Sequence, residues 1–322
     1  MAVYTKYNQD EIDEILSNYD LGKLETFKGI EEGIENTNYF ISTKNKKYIL
    51  TVYEKRVKSK DLPFFSKLMS FLDKANFKCP VPILNKKKET ITNYNGKELM
   101  VVSFLEGKAK QNLSPTNCES IGVEVAKMHE ITKNFKLKRE NDLSIKSWRG
   151  LFETVKDQCS QIHKDLPKLI SENLNDVEKK WPSDLPKGII HADLFHDNIF
   201  FLKNEFSGII DFYFSCEDYF AFEIAVCFNA LCFEGVKENL SFNVTKAKKF
   251  IDGYSSIRKL SDQEKANIKV LSQGASLRFL LTRVFDALNT VEGAMVKVKD
   301  PIEYLKRLEF HKKSKSYEDY FF

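Results

Sequence analysis

Apolar and polar positions follow two periods along this chain, and the change from one to the other falls near Leu105. At the start, Ile12, Ile15, Leu16 and Tyr19 recur at helical spacing, which predicts a helix within residues 1–20. Strand-like runs follow at 24–30, 37–43 and 47–53, the last two joined by the turn Lys44-Asn45-Lys46. Asp61-Leu62-Pro63 caps a helix whose Phe65, Leu68, Met69 and Leu72 share one face, and the prolines of segment 79–84 break the pattern. Strands are predicted again near 89–93 and 97–104. Beyond Leu105-Glu106-Gly107 the period becomes helical: 117–131 carries Ile121, Val125 and Met128 on one face, and 275–289 carries Leu277, Leu280, Leu281, Val284 and Leu288. The stretch 221–233 is apolar all round, which predicts a helix buried in the core. Among these helices lies one hairpin, with strands at 199–203 and 206–210 and a turn at Asn204-Glu205. The pattern predicts an α+β fold of two lobes, a small mixed β-sheet lobe over 1–105 and a larger, mainly helical lobe over 106–322.

Composition narrows the setting. With 42% hydrophobic and 13% aromatic residues the chain can bury a large core. Fifty Lys and Arg against 46 acidic residues leave a net charge of +4, scattered rather than striped, which argues against nucleic acid as a partner. The first residues are too acidic for a signal peptide, and the longest uncharged apolar run, Ile224 to Phe233, is far short of a bilayer span. Six cysteines show no C-x-x-C pairing and read as buried thiols. The expectation is a soluble cytoplasmic protein with no membrane partner; oligomeric state stays open.

The chemistry concentrates in His191–Asp211, HADLFHDNIFFLKNEFSGIID. With the turn at Asn204-Glu205, Asn198 and Asp211 stand symmetrically at the two outer ends of the hairpin. Antiparallel pairing would bring their oxygens together, a geometry suited to Mg²⁺ shared with phosphate. Asp193, five residues before Asn198, lies on the loop leading in and is placed to face an incoming hydroxyl. Asp193 and Asn198 are therefore the candidate catalytic residues, and Asn198 and Asp211 the candidate metal ligands, of a phosphoryl transfer.

This constellation resembles the catalytic loop and metal-binding segment of protein kinases, in the H-x-D-x-x-x-x-N…I-D-F form of the aminoglycoside phosphotransferase and choline kinase superfamily. The resemblance implies a protein-kinase-like bilobal fold and ATP as phosphate donor. No Walker A and no G-x-G-x-x-G occurs; the candidate phosphate loop is residues 29–38, with Gly29 and Gly33 for close backbone approach and Asn36, Thr37 and Asn38 as donors. Thr51 stands where a kinase carries its nucleotide lysine, so Lys55 or Arg56 would have to supply the charge. The adenine would meet the linker Val102 to Gly107, including Ser103 and Leu105.

Blocks along nearly the whole chain resemble the bacterial homoserine kinases of that superfamily. They include MAVYT, Tyr19-Asp20-Leu21-Gly22, Glu35-Asn36-Thr37-Asn38-Tyr39, Tyr53-Glu54-Lys55-Arg56-Val57, Asp61-Leu62-Pro63-Phe64-Phe65, IIDFYFSCED and Lys299-Asp300-Pro301. The family implies transfer of the ATP γ-phosphate to the side-chain hydroxyl of L-homoserine, a step toward threonine. An amino-acid acceptor needs a cation for its carboxylate and an anion for its ammonium. Arg278 and Arg283 are candidates for the first, against a structural ion pair; Glu217 and Asp218 for the second, against solvated loop carboxylates. Glu223 stands where relatives usually carry Asp, and its longer side chain argues against a close metal or loop-anchoring role. His129 is read as packing or hydrogen bonding, His191 as holding the loop's shape, and His196 as no metal ligand. Rival readings are a kinase of choline, ethanolamine, an aminoglycoside or a sugar derivative, or a nucleotide-binding pseudokinase.

Overall fold

The computed structural model describes residues 4–31, 36–44, 46–54, 57–236, 239–289 and 299–321. The described chain divides into two compact units, residues 4–107 with 207–213, and residues 108–206 with 214–289 and 299–321.

The first unit begins with α1 (Gln9–Ser17), whose Asn8 side chain accepts from Glu11 N–H while Glu11 reaches back to Asn8 N–H. This reciprocal pair satisfies two orphan donors and fixes the helix start inside the predicted 1–20 stretch. Strands β1 (Leu24–Ile30), β2 (Thr37–Thr43), β3 (Lys47–Val52), β4 (Thr92–Tyr94) and β5 (Lys97–Ser103) form one antiparallel sheet in the order β1-β2-β3-β5-β4. Alternate residues of β2 are buried, and Tyr39 and Ile41 join Leu50, Val52, Leu99 and Val101 with Ile12, Ile15 and Leu16 of α1 in one core. β4 starts three residues later than the spacing predicts, because the Asn85 side chain accepts from Lys87 and Glu89 N–H and draws 85–89 into a turn. α2 (Leu62–Lys74) starts as predicted with Pro63 in its first turn, but Asp61 makes no side-chain cap.

The second unit contains α3 (Pro115–Thr132), α4 (Ile145–Val155), α5 (Leu166–Lys180), α6 (Phe220–Leu231), α7 (Val244–Ile257), α8 (Asp262–Asn289) and α9 (Ile302–Lys313). α3 and α7 pack so closely that a Cβ at Gly122 would fall 2.1 Å from Phe250 O, and one at Gly253 2.1 Å from Glu119 O. The 28-residue α8 packs against α4, α5, α6 and α9. It begins thirteen residues before the predicted stripe at 275, since its first half meets neighbours from several sides and shows no single apolar face. Short strands complete the unit: β6 (Lys108–Ala109), β7 (Lys187–Ile190), β8 (Ile199–Leu202), β9 (Glu205–Ile209), β10 (Cys216–Tyr219), β11 (Phe233–Glu234) and β12 (Ser241–Phe242), with the division between units passing through β9. β10 runs antiparallel to β7, and β6, β8 and β9 form a separate small sheet. Among the described residues, no helix is long and apolar enough to cross a membrane.

The hairpin differs from the prediction in one respect. Lys203 and Asn204, at φ 49° and 72°, occupy the left-handed region that a tight two-residue turn demands, so the turn lies one residue early. Asn198 directly precedes β8, whereas Asp211 comes two residues after β9. The expected symmetry about the turn is therefore not met.

Candidate active site

The loop leaving β7 turns sharply at Ala192, whose φ of 67° is unfavourable for a residue with a Cβ. Its surroundings hold it there. The Glu223 carboxylate, projecting from the first turn of α6, accepts the N–H groups of both His191 and Ala192, the latter at 3.1 Å. From α8, the Arg278 guanidinium donates to the Ala192 carbonyl. A carboxylate and a guanidinium, 0% and 2% exposed, thus grip consecutive peptide groups from two helices. Burial raises the Glu223 carboxyl above its usual range, and the His191 and Ala192 N–H groups and Arg278 oppose that rise. The longer side chain of Glu223 does not preclude anchoring: it reaches the loop backbone and carries it, against the expectation from the family pattern.

Downstream, the loop is laced to itself. The Asp193 carbonyl accepts from Phe195 N–H at 3.0 Å and from Asn198 Nδ2 at 2.8 Å, and Asp193 N–H donates to His191 Nδ1 at 3.3 Å. The Asp193 carboxylate stays 22% exposed, with Arg278 4.0 Å away. Because the Asn198 amide nitrogen faces Asp193, its Oδ1 points elsewhere and has no hydrogen bond among the described residues. A free carboxamide oxygen is the donor type Mg²⁺ takes, so this residue fits a metal ligand. Asp211 adopts φ 65° and lies near the Tyr53 and Tyr213 rings, which meet edge to face at 5.1 Å. Burial above all, with the Asp211 charge adding to it, pushes both phenols up.

The first unit uses its candidate nucleotide groups internally. Gly29 lines a hollow of about 200 Å³ with Lys28, Ile30, Glu31 and Phe40. Thr37 Oγ1 accepts from Tyr4 and Thr5 N–H and donates to Glu54; Asn36 Oδ1 accepts from Glu54 N–H; Thr51 donates to Asn38 Oδ1 at 2.8 Å. Ser103 Oγ accepts from Val81 N–H, and Leu105 packs where a Cβ at Gly208 would fall 2.8 Å from its Cδ2. Gly33, Lys55 and Arg56 lie outside the described residues.

The four candidates for an amino-acid head group separate. Arg283 donates to the Asp300 carbonyl and to Glu303, joining α8 to the start of α9, and Glu217 pairs with Lys138 at 2.8 Å and Lys187 at 3.6 Å. Among the described residues, Arg278 and Asp218 are in no such pair closer than 4.0 Å: Arg278 holds the loop, and Asp218 accepts from Asn141 Nδ2 and Tyr219 N–H. His129 packs as expected: buried, stacked 4.5 Å from Phe220, with Nδ1 2.8 Å from the Tyr254 hydroxyl. Burial lowers its pKa to about 3, so it is neutral. Sequence reasoning passed over Glu223 as an anchor, although an acid within the wholly apolar run 220–228 carried the signal.

The phosphotransferase enzyme family model matches residues 26–258. The homoserine kinase of Bradyrhizobium diazoefficiens is 43% identical over 99% of this chain and 97% of its own length. That of Afipia carboxidovorans is 45% identical over 97% and 94%. Among solved structures, an amicoumacin kinase matches with a TM-score of 0.69 at 14% identity, covering 97% of this chain and 95% of its own. The choline kinase of Cryptosporidium parvum gives 0.66 at 18%, covering 95% of each. These two share the protein-kinase-like fold expected from the sequence. With a braced H-x-D loop, an oriented asparagine and relatives this similar from end to end, the chain belongs to the phosphotransferase enzyme family and, within it, to the homoserine kinases.

Proposed function

We propose that this protein transfers the γ-phosphate of ATP to the side-chain hydroxyl of L-homoserine, giving O-phospho-L-homoserine and ADP on the route to threonine. The observation that carries this reading is the loop at Asp193, fixed by Glu223 and Arg278 so that one carboxylate stays partly exposed at a defined place. Asp193 orients the acceptor hydroxyl and takes its proton as the new O–P bond forms and the bond to the β-phosphate oxygen breaks. Asn198 holds Asp193 in position through the carbonyl contact. Asn198 and Asp211 are the oxygen donors assigned to Mg²⁺, which when bound neutralises phosphate charge. Residues 1–105 serve the nucleotide, with Gly29, Gly33, Asn36, Thr37, Asn38, Thr51, Ser103 and Leu105 as its contacts; residues 106–322 carry catalysis and the acceptor. Since the side-chain oxygens of Asn36, Thr37, Asn38 and Thr51 serve neighbouring groups and Asn38 and Thr51 lie in paired strands, their contribution falls to the amide hydrogens of Asn36 and Asn38. For the acceptor head group, Arg283 and Glu217 are already engaged in ion pairs and Arg278 with the loop.

ADP release from Mg·ATP with L-homoserine, D-homoserine, L-serine, choline, ethanolamine and kanamycin tests the reading. Strong turnover on L-homoserine alone is the expected result. Turnover on a different acceptor overturns the substrate, and silence on all with ATP still bound favours a pseudokinase. Asp193→Asn should lower kcat by roughly 10²-fold or more with an unchanged circular dichroism spectrum; near-normal turnover removes Asp193 from the mechanism.

A further inference from the structure

The proposed substrate is a zwitterion, and its ammonium calls for a carboxylate that is oriented but not already paired with a cation. On β10 successive side chains alternate between two faces. Glu217 points to the face occupied by Lys138 and Lys187, where both of its oxygens are engaged at 2.8 and 3.6 Å. Cys216 and Asp218 share the other face, and both lie within the field of Arg278, the residue that also stands 4.0 Å from Asp193. Asp218 thus lies on the strand paired with β7, which leads into the Asp193 loop, and on the face opposite the lysines that engage Glu217.

The bonding of Asp218 is incomplete in a specific way. One oxygen accepts from Tyr219 N–H at 2.7 Å and the other from Asn141 Nδ2 at 2.6 Å. Asn141 is itself fixed, its Oδ1 accepting from Leu143 N–H at 2.9 Å. Both partners of Asp218 are neutral, and among the described residues no Lys, Arg or His comes within ion-pair distance. A half-buried carboxylate held by two neutral donors has been oriented but not neutralised, and a desolvated anion gains most from a cation brought by a ligand. Arg278 is the converse: it is 2% exposed and donates to the Ala192 carbonyl, so it serves the loop and leaves the head group to others.

Resting on the homoserine kinase reading, we infer that Asp218, oriented by Asn141, is the specificity residue that binds the α-ammonium of the acceptor. Asn141 is a positioning residue. Glu217 and Arg283, already in ion pairs, take no part. The site thus selects primary alcohols bearing an ammonium group and rejects the same alcohol without it.

The test compares L-homoserine with 4-hydroxybutyrate, which keeps the hydroxyl and carboxylate but lacks the ammonium. In the unaltered enzyme kcat/KM should favour L-homoserine strongly. Asp218→Asn should raise KM for L-homoserine by about 10²-fold, with a smaller effect on kcat, and remove most of the preference over 4-hydroxybutyrate. Asn141→Ala, which leaves the carboxylate in place but unoriented, should produce the same change at about a tenth of the size. Glu217→Gln should leave both acceptors within about twofold. If Asp218→Asn folds poorly, the Asn141→Ala preference ratio decides. An unaltered enzyme that does not turn over L-homoserine overturns the proposed function and this inference with it. An active enzyme whose preference survives both substitutions, or whose variants lose both acceptors equally, overturns the inference alone.

Discussion

Two helices, α6 and α8, each bury polar groups at two places along their length, and the two groupings are of opposite kind. At one, Glu223 and Arg278 carry charge and grip the backbone of His191 and Ala192. Its bonding is incomplete: Arg278 Nε and His129 Nε2, the latter 4.0 Å from Glu223, are buried without a hydrogen bond among the described residues. At the other, Asn229 and Ser276 are neutral and close-knit. Asn229 Nδ2 donates to the carbonyls of Ala225 and Ser272, and its Oδ1 meets Ser276 Oγ at 2.7 Å and His311 Nε2 at 3.2 Å. His311 Nδ1 in turn lies 3.0 Å from the Tyr320 hydroxyl, tying the last turn of the chain to the core. A saturated neutral network specifies one packing at modest net gain, whereas buried charge is expensive and persists where it shapes something else, here a strained loop. On the proposed function, the first grouping supports the loop that carries Asp193 and the second holds the architecture.

The largest effect should come from the charged grouping. Glu223→Ala orphans two backbone N–H groups and removes what keeps Ala192 in the left-handed region. We expect kcat to fall about 10²-fold, through misplacement of Asp193, with KM for ATP within threefold. Steady-state kinetics beside a thermal melt reads this, and activity within threefold of the parent would remove Glu223 from the loop's support. The neutral grouping should respond the other way. Asn229→Leu leaves His311, Ser276 and two carbonyls short of a partner, at a cost of about 3 kcal/mol. That is a fall in Tm of about 6–10 °C, with kcat at 25 °C held within twofold. Loss of turnover in a folded Asn229→Leu protein would collapse the distinction.

Acid should sharpen it. Burial lowers His311 and His129 to about 3, from an ordinary value of 6.5. Between those values the unfolded chain binds protons that the folded chain refuses. The stability each neutral imidazole contributes is therefore complete above 6.5 and is lost as pH falls toward 3. The slope is about 1.4 kcal/mol per pH unit for each histidine. Urea melts at pH 7, 6 and 5 should show His311→Phe flattening this slope by one histidine's share; a parallel slope in the variant would mean that His311 titrates normally.

How much of this was legible in the chain depends on the range of the cause. The sheet strands followed from alternation, because β2 buries every second residue. The loop motif was legible because its residues lie within one short segment, and Asn198 does turn its amide toward Asp193. The hairpin turn was misplaced by one residue because Lys203 and Asn204 adopt positive φ, which neither residue type announces as Asn-Gly would. Glu223 was undervalued because its role depends on reach: whether a longer acid still meets a loop 31 residues away is decided by packing, not spacing. Likewise Arg283 and Arg278, five residues apart on one helix, look alike in sequence, yet one meets Glu303 on α9 and the other a peptide carbonyl.

The smallest prediction probes the boundary between the two groupings. Ser276 and Arg278 are two residues apart on α8, so their side chains leave the helix about 200° apart. Ser276 Oγ donates to Asn229 Oδ1 and also approaches the Ser272 carbonyl at 3.0 Å. Ser276→Ala removes one donor while His311 still meets the Asn229 oxygen, so nothing charged is left unpaired and the cavity is a single hydroxyl. The expected cost is about 1 kcal/mol, or 2–4 °C in Tm, and kcat and the KM for L-homoserine should not change. Were the Ser276→Ala protein to lose turnover while melting normally, strain from the neutral grouping would be reaching Arg278 along α8, and the two would have to be treated as one network.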